Sequence, residues 1–251
     1  MAKKIVIANW KMNPASPKEA ESLALKITRA NFFRTEVVLC PPFVYLEKIK
    51  KISRRFALGA QDVFYQERGA FTGEISAEML ANLGVKYVLV GHSERRKLGE
   101  SNEEVNKKIK VALFFGLKPI LCVGETERDE EHGYFSLVRE QILECLAVIK
   151  KELLAKIIVA YEPVWALSTT IGRINAVPTD SREMSIFIKK VLADKFGMKT
   201  KMPRIIYGGS VNPQNVFEFM ESGGVDGVLP GAASLNPKKF LEIINIVEQA
   251  S

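Results

Sequence analysis

The chain has 251 residues, 47% hydrophobic and 26% charged, with a formal net charge of +7 from 36 Lys and Arg against 29 Asp and Glu. This is enough chain for one large or two small globular domains with a substantial core, and the mixture excludes a disordered, collagenous or membrane-spanning protein. The basic excess is interleaved with acids, as in Glu103-Glu104 ahead of Lys107-Lys108, so it reads as solvated helix surface, not as a nucleic-acid or anionic-membrane footprint.

In chain order, short apolar runs alternate with amphipathic stretches. The opening MAKKIVIANWKMN turns polar too soon for a signal peptide. A strand is predicted at Ile5–Ala8, a helix near Lys18–Thr28, a strand at Val37–Cys40 and a helix near Tyr45–Ile52. The pattern repeats as strand Ala57–Ala60, helix Ala77–Leu83, strand Tyr87–Val90 and helix Asn102–Phe114. It goes on through Ile120–Val123 and Phe135–Lys150, Ile157–Tyr161 and Arg182–Lys195, Arg204–Tyr207 and Gln214–Glu221, and ends with Gly227–Leu229 and Lys238–Val247. Ser16-Pro17-Lys18-Glu19 and Ser101-Asn102-Glu103-Glu104 match the capping box, and Asn236-Pro237 offers an N-cap followed by proline. The longest apolar stretch, near Val111–Leu117, is too short to cross a bilayer. Cys40, Cys122 and Cys145 cannot all pair and form no Cys-x-x-Cys motif, which points to a reduced, cytoplasmic compartment.

The strands read as continuous apolar runs, as in a parallel sheet covered by helices. Eight strand–helix pairs in about 250 residues fit a closed (β/α)8 TIM barrel, an α/β fold in which residues 1–251 form one domain. A doubly wound open sheet is the competitor, but no glycine-rich turn follows the first strand. In a barrel the chemistry sits where strands end. Those ends supply Asn9 and Lys11, then His92, Ser93, Glu94 and Arg95, then Cys122 and Glu125, then Glu162. The last two supply Gly208-Gly209-Ser210 and Gly231-Ala232-Ala233-Ser234. The small residues let backbone N–H groups approach an anion. Glu162 could act as a base on a carbon acid, Lys11 could neutralise a developing oxyanion, and His92 could hydrogen-bond to it. Singly each has an ordinary structural explanation; on one rim they fit proton abstraction beside a carbonyl.

These residues sit in segments that together resemble the triosephosphate isomerase family from end to end. The segments are Ala8-Asn9-Trp10-Lys11-Met12-Asn13, Gly73-Glu74-Ile75-Ser76, Val90-Gly91-His92-Ser93-Glu94-Arg95-Arg96, Leu121-Cys122-Val123-Gly124-Glu125, Ala160-Tyr161-Glu162-Pro163-Val164-Trp165-Ala166 and Tyr207-Gly208-Gly209-Ser210-Val211. The resemblance implies interconversion of dihydroxyacetone phosphate and glyceraldehyde 3-phosphate, in glycolysis and gluconeogenesis, without metal or organic cofactor. It implies Glu162 as base, His92 as neutral electrophile, Lys11 balancing phosphate and enediolate charge, and Glu94 orienting Lys11. Asn9 would hold the oxygen side, and Ser210 with the backbone of Gly231 and Ala232 would grip the phosphate. Cys122 would pack beside the base.

Two stretches depart from the family pattern. After Trp165 the family runs Ala-Ile-Gly-Thr-Gly-Lys, whereas this chain reads Ala166-Leu167-Ser168-Thr169-Thr170-Ile171-Gly172-Arg173. Ser168 keeps the N–H that a family glycine offers to phosphate but not glycine's conformational freedom. A working lid with altered gating is expected, and lid closure is what keeps water from the enediolate. In the last phosphate loop the paired glycines become Gly231-Ala232 after Pro230. The loop Gln61–Gly73, with Phe64, Tyr65, Phe71 and Thr72, implies a homodimer in which Thr72 reaches across. His132 is read as a surface residue. Three alternatives stay open: another sugar-phosphate enzyme on this barrel, a silent barrel that only binds a partner, and a nucleic-acid binder, for which no basic stripe or motif is present.

Overall fold

The first strand, β1 (Lys4–Asn9), is buried on both of its faces. Successive side chains alternate across a strand. Ile5 and Ile7 join a cluster with Val38, Leu89, Ile120 and Ile206 inside the sheet, while Val6 and Ala8 pack among helix residues. This double burial is why the strands lack a polar face. The computed structural model describes residues 3–52, 55–167, 170, 172 and 174–250.

The remaining strands are β2 (Thr35–Cys40), β3 (Ala57–Ala60), β4 (Tyr87–Val90), β5 (Lys118–Val123), β6 (Ile158–Tyr161), β7 (Arg204–Tyr207) and β8 (Gly227–Val228). They close into a barrel in sequence order, every pair parallel. The ring is completed by Ile5 opposite Gly227 and Val6 opposite Val228. A Cβ on Gly227 would lie 2.0 Å from the Ile5 carbonyl oxygen, so closure at this register needs glycine.

The helices are α1 (Pro17–Thr28), α2 (Leu46–Lys50), α3 (Ala77–Leu83), α4 (Ser93–Lys97), α5 (Asn102–Phe114), α6 (Gly133–Cys145), α7 (Pro178–Phe196), α8 (Val216–Ser222) and α9 (Pro237–Gln249). Ser101 and Glu104 form the full capping box of α5, Ser16 accepts from the Glu19 N–H, and Asn236 accepts from the N–H groups of Lys238 and Lys239. Three predicted elements differ. The helix expected to run to Lys150 stops at Cys145, because the Asn106 side-chain amide donates to the Cys145 and Ala147 carbonyls at 2.8 and 2.9 Å. The second helix is shorter than expected and is preceded by a 3-10 turn, Phe43–Tyr45. α7 begins at Pro178, where the Asp180 carboxylate accepts from the Val177 N–H. The short α4 was not expected, and it lies at the mouth of the barrel.

Candidate active site

Asn9 ends β1, and its Oδ1 accepts from the Lys11 N–H at 3.0 Å. Lys11 has φ +50°, a left-handed conformation that a non-glycine residue adopts only when its surroundings impose it. The Gln61 amide supplies the second constraint, donating to the carbonyls of Lys11 and Cys40 at 2.8 and 2.9 Å. So fixed, Lys11 places Nζ 2.6 Å from Glu94 Oε1.

His92 caps α4. Its Nδ1 accepts the Glu94 N–H at 3.2 Å, so that nitrogen carries no proton and the ring hydrogen belongs on Nε2. The imidazole is thereby presented as a neutral hydrogen-bond donor. Nε2 lies 3.2 Å from Glu162 Oε1, yet the contact is not aligned as a hydrogen bond and Oε1 is without a partner. Glu162 follows β6, and its own N–H donates to the Val123 carbonyl. Its side chain is 2% exposed, and Oε2 accepts from the Ser93 N–H at 3.2 Å. Room for this side chain depends on Gly208, where a Cβ would sit 2.9 Å from Glu162 Cγ. Behind the glutamate, burial pushes the Cys122 thiol well above its ordinary pKa, and the Glu162 charge adds to the shift. Cys122 is therefore a neutral packing group and no thiolate nucleophile.

One pocket gathers Asn9, Lys11 and His92 with Gly208, Gly209, Ser210, Gly231 and Ala232. Asn215 Nδ2 pins the Ser210 carbonyl at 2.9 Å, and Ser234 closes a 3-10 turn by donating from N and Oγ to the Gly231 carbonyl. Such turn starts present N–H groups to an anion, and Lys11 adds the charge. Glu162 touches His92 but lines a different cavity, so the two residues form a wall. Of the residues expected at the site, Ser168 lies outside the described residues. Thr72 stands on an exposed loop tip.

Sequence reasoning left Glu125 without a role, although a carboxylate right after β5 was a usable signal. It is fully buried, and its Oε1 accepts from Tyr161 Oη at 2.8 Å, Trp165 Nε1 at 2.8 Å and Arg128 Nε at 3.2 Å. Arg128 in turn reaches Asp180 Oδ1 and Glu183 Oε2, both at 3.1 Å, and so braces both ends of the Trp165-to-Pro178 segment. Among the described residues no group of three or more His, Cys, Asp or Glu is placed to hold a metal ion, and no helix is long and apolar enough to cross a membrane.

The family model of triosephosphate isomerase matches residues 4–247. The chain is similar to the triosephosphate isomerase of Caldanaerobacter subterraneus subsp. tengcongensis, 43% identical over 98% of this chain and 100% of that protein. It is also similar to that of Dictyoglomus thermophilum, 42% identical over 97% of this chain and 99% of that protein. A third relative, the triosephosphate isomerase of Symbiobacterium thermophilum, is 42% identical over 98% of this chain and 97% of its own length.

Proposed function

Since the chain belongs to the triosephosphate isomerase family and interconverts dihydroxyacetone phosphate and D-glyceraldehyde 3-phosphate, we propose that Glu162 is the base that carries the proton between the two substrate carbons. Glu162 takes the proton from the hydroxyl-bearing carbon beside the carbonyl. The C–H electron pair forms the carbon–carbon double bond, and the carbonyl pair moves to oxygen, giving an enediolate. His92 Nε2–H donates to that oxygen, and Lys11 offsets its charge and that of the phosphate. Glu94 orients Lys11, Asn9 holds the oxygen side, and Ser210, Gly231 and Ala232 with the lid's Ser168 N–H bind the phosphate. The hydroxyl proton then passes to the former carbonyl oxygen, and Glu162 returns its proton to the neighbouring carbon as the other oxygen becomes the carbonyl, which completes the exchange with no cofactor.

The observation that carries this assignment is the Glu94 N–H bonded to His92 Nδ1, which leaves the donor nitrogen of the ring beside Glu162. A coupled assay on purified protein tests it, with glyceraldehyde 3-phosphate supplied and dihydroxyacetone phosphate read out. Activity lost in Glu162→Gln supports the base; activity retained overturns it.

We read the 251 residues as one cytoplasmic domain that works in glycolysis and gluconeogenesis as a homodimer. The loops after four consecutive strands leave apolar side chains in the open, namely Met12, Val44, Phe71 and Leu98. Phe64 packs on Tyr65 and Phe71 within its own loop, and Phe71 and Thr72 at the tip are exposed. A partner covering that tip would bring Thr72 to the neighbouring site.

A further inference from the structure

The substrate pocket lies where the strands end, and the opposite end of the barrel carries a different chemistry. Strands β1 to β6 are entered through exposed cations, Lys3, Arg34, Arg55, Lys86, Lys118 and Lys156, and β7 opens on Arg204. The connections that run from a helix into the next strand hold only two acids, Glu152 and Asp226. Asp226 accepts from the Ile205 N–H at 3.0 Å, and Glu36, just inside β2, is held by Arg204 at 3.0 Å and by Tyr87. The other rim carries the acidic run Glu127, Asp129, Glu130 and Glu131. The cations are dispersed along the chain, so the sequence shows no basic run; the parallel order of the strands collects them into one ring.

Apolar side chains project from the same end. Phe33, Phe114, Val148 and Met198 are between 72% and 88% exposed, each where a different helix hands over to a strand. Lys3 Nζ donates to the Phe33 carbonyl at 2.7 Å and Glu248 accepts the Phe33 N–H at 2.8 Å, which fixes the turn that leaves this ring in the open. Val148 has φ +61°, a left-handed conformation that is costly for a β-branched residue. Neither conformation nor burial favours valine there.

We propose that this end of the barrel docks on a bilayer surface rich in anionic phospholipid, with the cation ring over the headgroup phosphates and the apolar tips reaching the upper acyl chains. Cations surrounding projecting apolar groups are how a peripheral protein meets such a surface. Lys3, Arg55, Lys201 and Arg204 line one groove of about 620 Å³ beside Phe33, with Glu36 as its one acid, which gives a phosphate headgroup a seat. A nucleic acid would call for a track of cations, whereas ring and tips here are spread around the barrel axis and fit a plane. The proposed dimer contact uses loops at the other end, so this face stays free in it. Docked this way, the substrate pocket faces the solution.

Sedimentation of the full chain with vesicles tests the docking, comparing phosphatidylglycerol mixed into phosphatidylcholine with phosphatidylcholine alone, and turnover is read in the same samples. The expected result is saturable binding to the anionic vesicles that weakens as salt rises, binding to the neutral ones at least about tenfold weaker, and kcat unchanged on the vesicle. Lys156→Glu combined with Lys201→Glu should weaken vesicle binding about tenfold or more. Phe33→Ser should weaken it with the salt dependence unchanged, and both variants should keep the parent's kcat in solution, which shows that they fold. Equal binding to neutral vesicles, or parent-like binding by both variants, overturns the docking. Loss of kcat on the vesicle overturns the orientation. A single-stranded oligonucleotide held more tightly than the anionic vesicles, and equally by Phe33→Ser, overturns the bilayer as the partner of this face.

Discussion

Lys11 shows how a single residue is prepared for its task before any ligand arrives. Its strained backbone is clamped by Asn9 on one side and Gln61 on the other, and its ammonium is parked on Glu94. Lys11→Met keeps the side-chain length and removes the charge, so inorganic phosphate should bind more weakly and kcat/KM should fall by roughly 10²-fold or more. Unchanged phosphate affinity would remove the electrostatic role. Glu162→Asp draws the carboxylate back by one methylene; kcat should drop by about 10²-fold while phosphate affinity is retained, a split that steady-state kinetics reads directly. That Asn9, Lys11, His92 and Glu162 share one rim was legible in the sequence because each is a polar residue at or just past the end of an apolar strand. The Ser93 N–H was not legible, since a backbone donor has no residue identity. The partners of Glu125 also needed coordinates, because three donors converge on it from Arg128, Tyr161 and Trp165.

At the scale of elements, the eight strands could be read because burial on both faces removes every alternative to a parallel sheet. The ends were harder. A side chain from another helix decided where α6 stops, and a window of hydrophobic periodicity carries no sign of Asn106. The five-residue α4 is shorter than the window in which a helical period can be read. Side chains that join elements also set the pH dependence of stability. Glu248, near the end of α9, accepts from the N–H groups of Phe33 and Arg34 with Oε1 and of Thr35 with Oε2. Burial raises its pKa, but these donors outweigh that and hold the carboxyl below its ordinary 4.5. A group whose folded pKa is depressed contributes stability above the unfolded value and loses it as pH falls through the folded one. Glu248→Gln should therefore melt ~2–4 °C lower at neutral pH, with the gap closing below pH 4.5. A gap that is constant with pH would dismiss the charge as its cause.

For the whole molecule, the proposed homodimer would join assembly to catalysis on the loop after β3. Phe71→Asp places a charge on the exposed tip without disturbing the core, and sedimentation should then show a single chain where the parent shows two. In the proposed dimer the neighbour's loop supports Lys11 and His92, so turnover should fall along with the mass. A variant that keeps both mass and rate would exclude this surface as the interface. The way the barrel closes has a consequence in time as well. Lys11 comes from just after the first strand and Gly231 from just after the last, and the pairs Ile5 with Gly227 and Val6 with Val228, with the Asn9 N–H on the Pro230 carbonyl, bring those ends together. Contacts between residues so far apart in sequence are slow to form. Diluted from denaturant, the chain should regain its helical circular dichroism before its isomerase activity, and a newly synthesised chain cannot turn over substrate until its final strand has left the ribosome. The catalytic centre is thus a clock that reports the completion of folding.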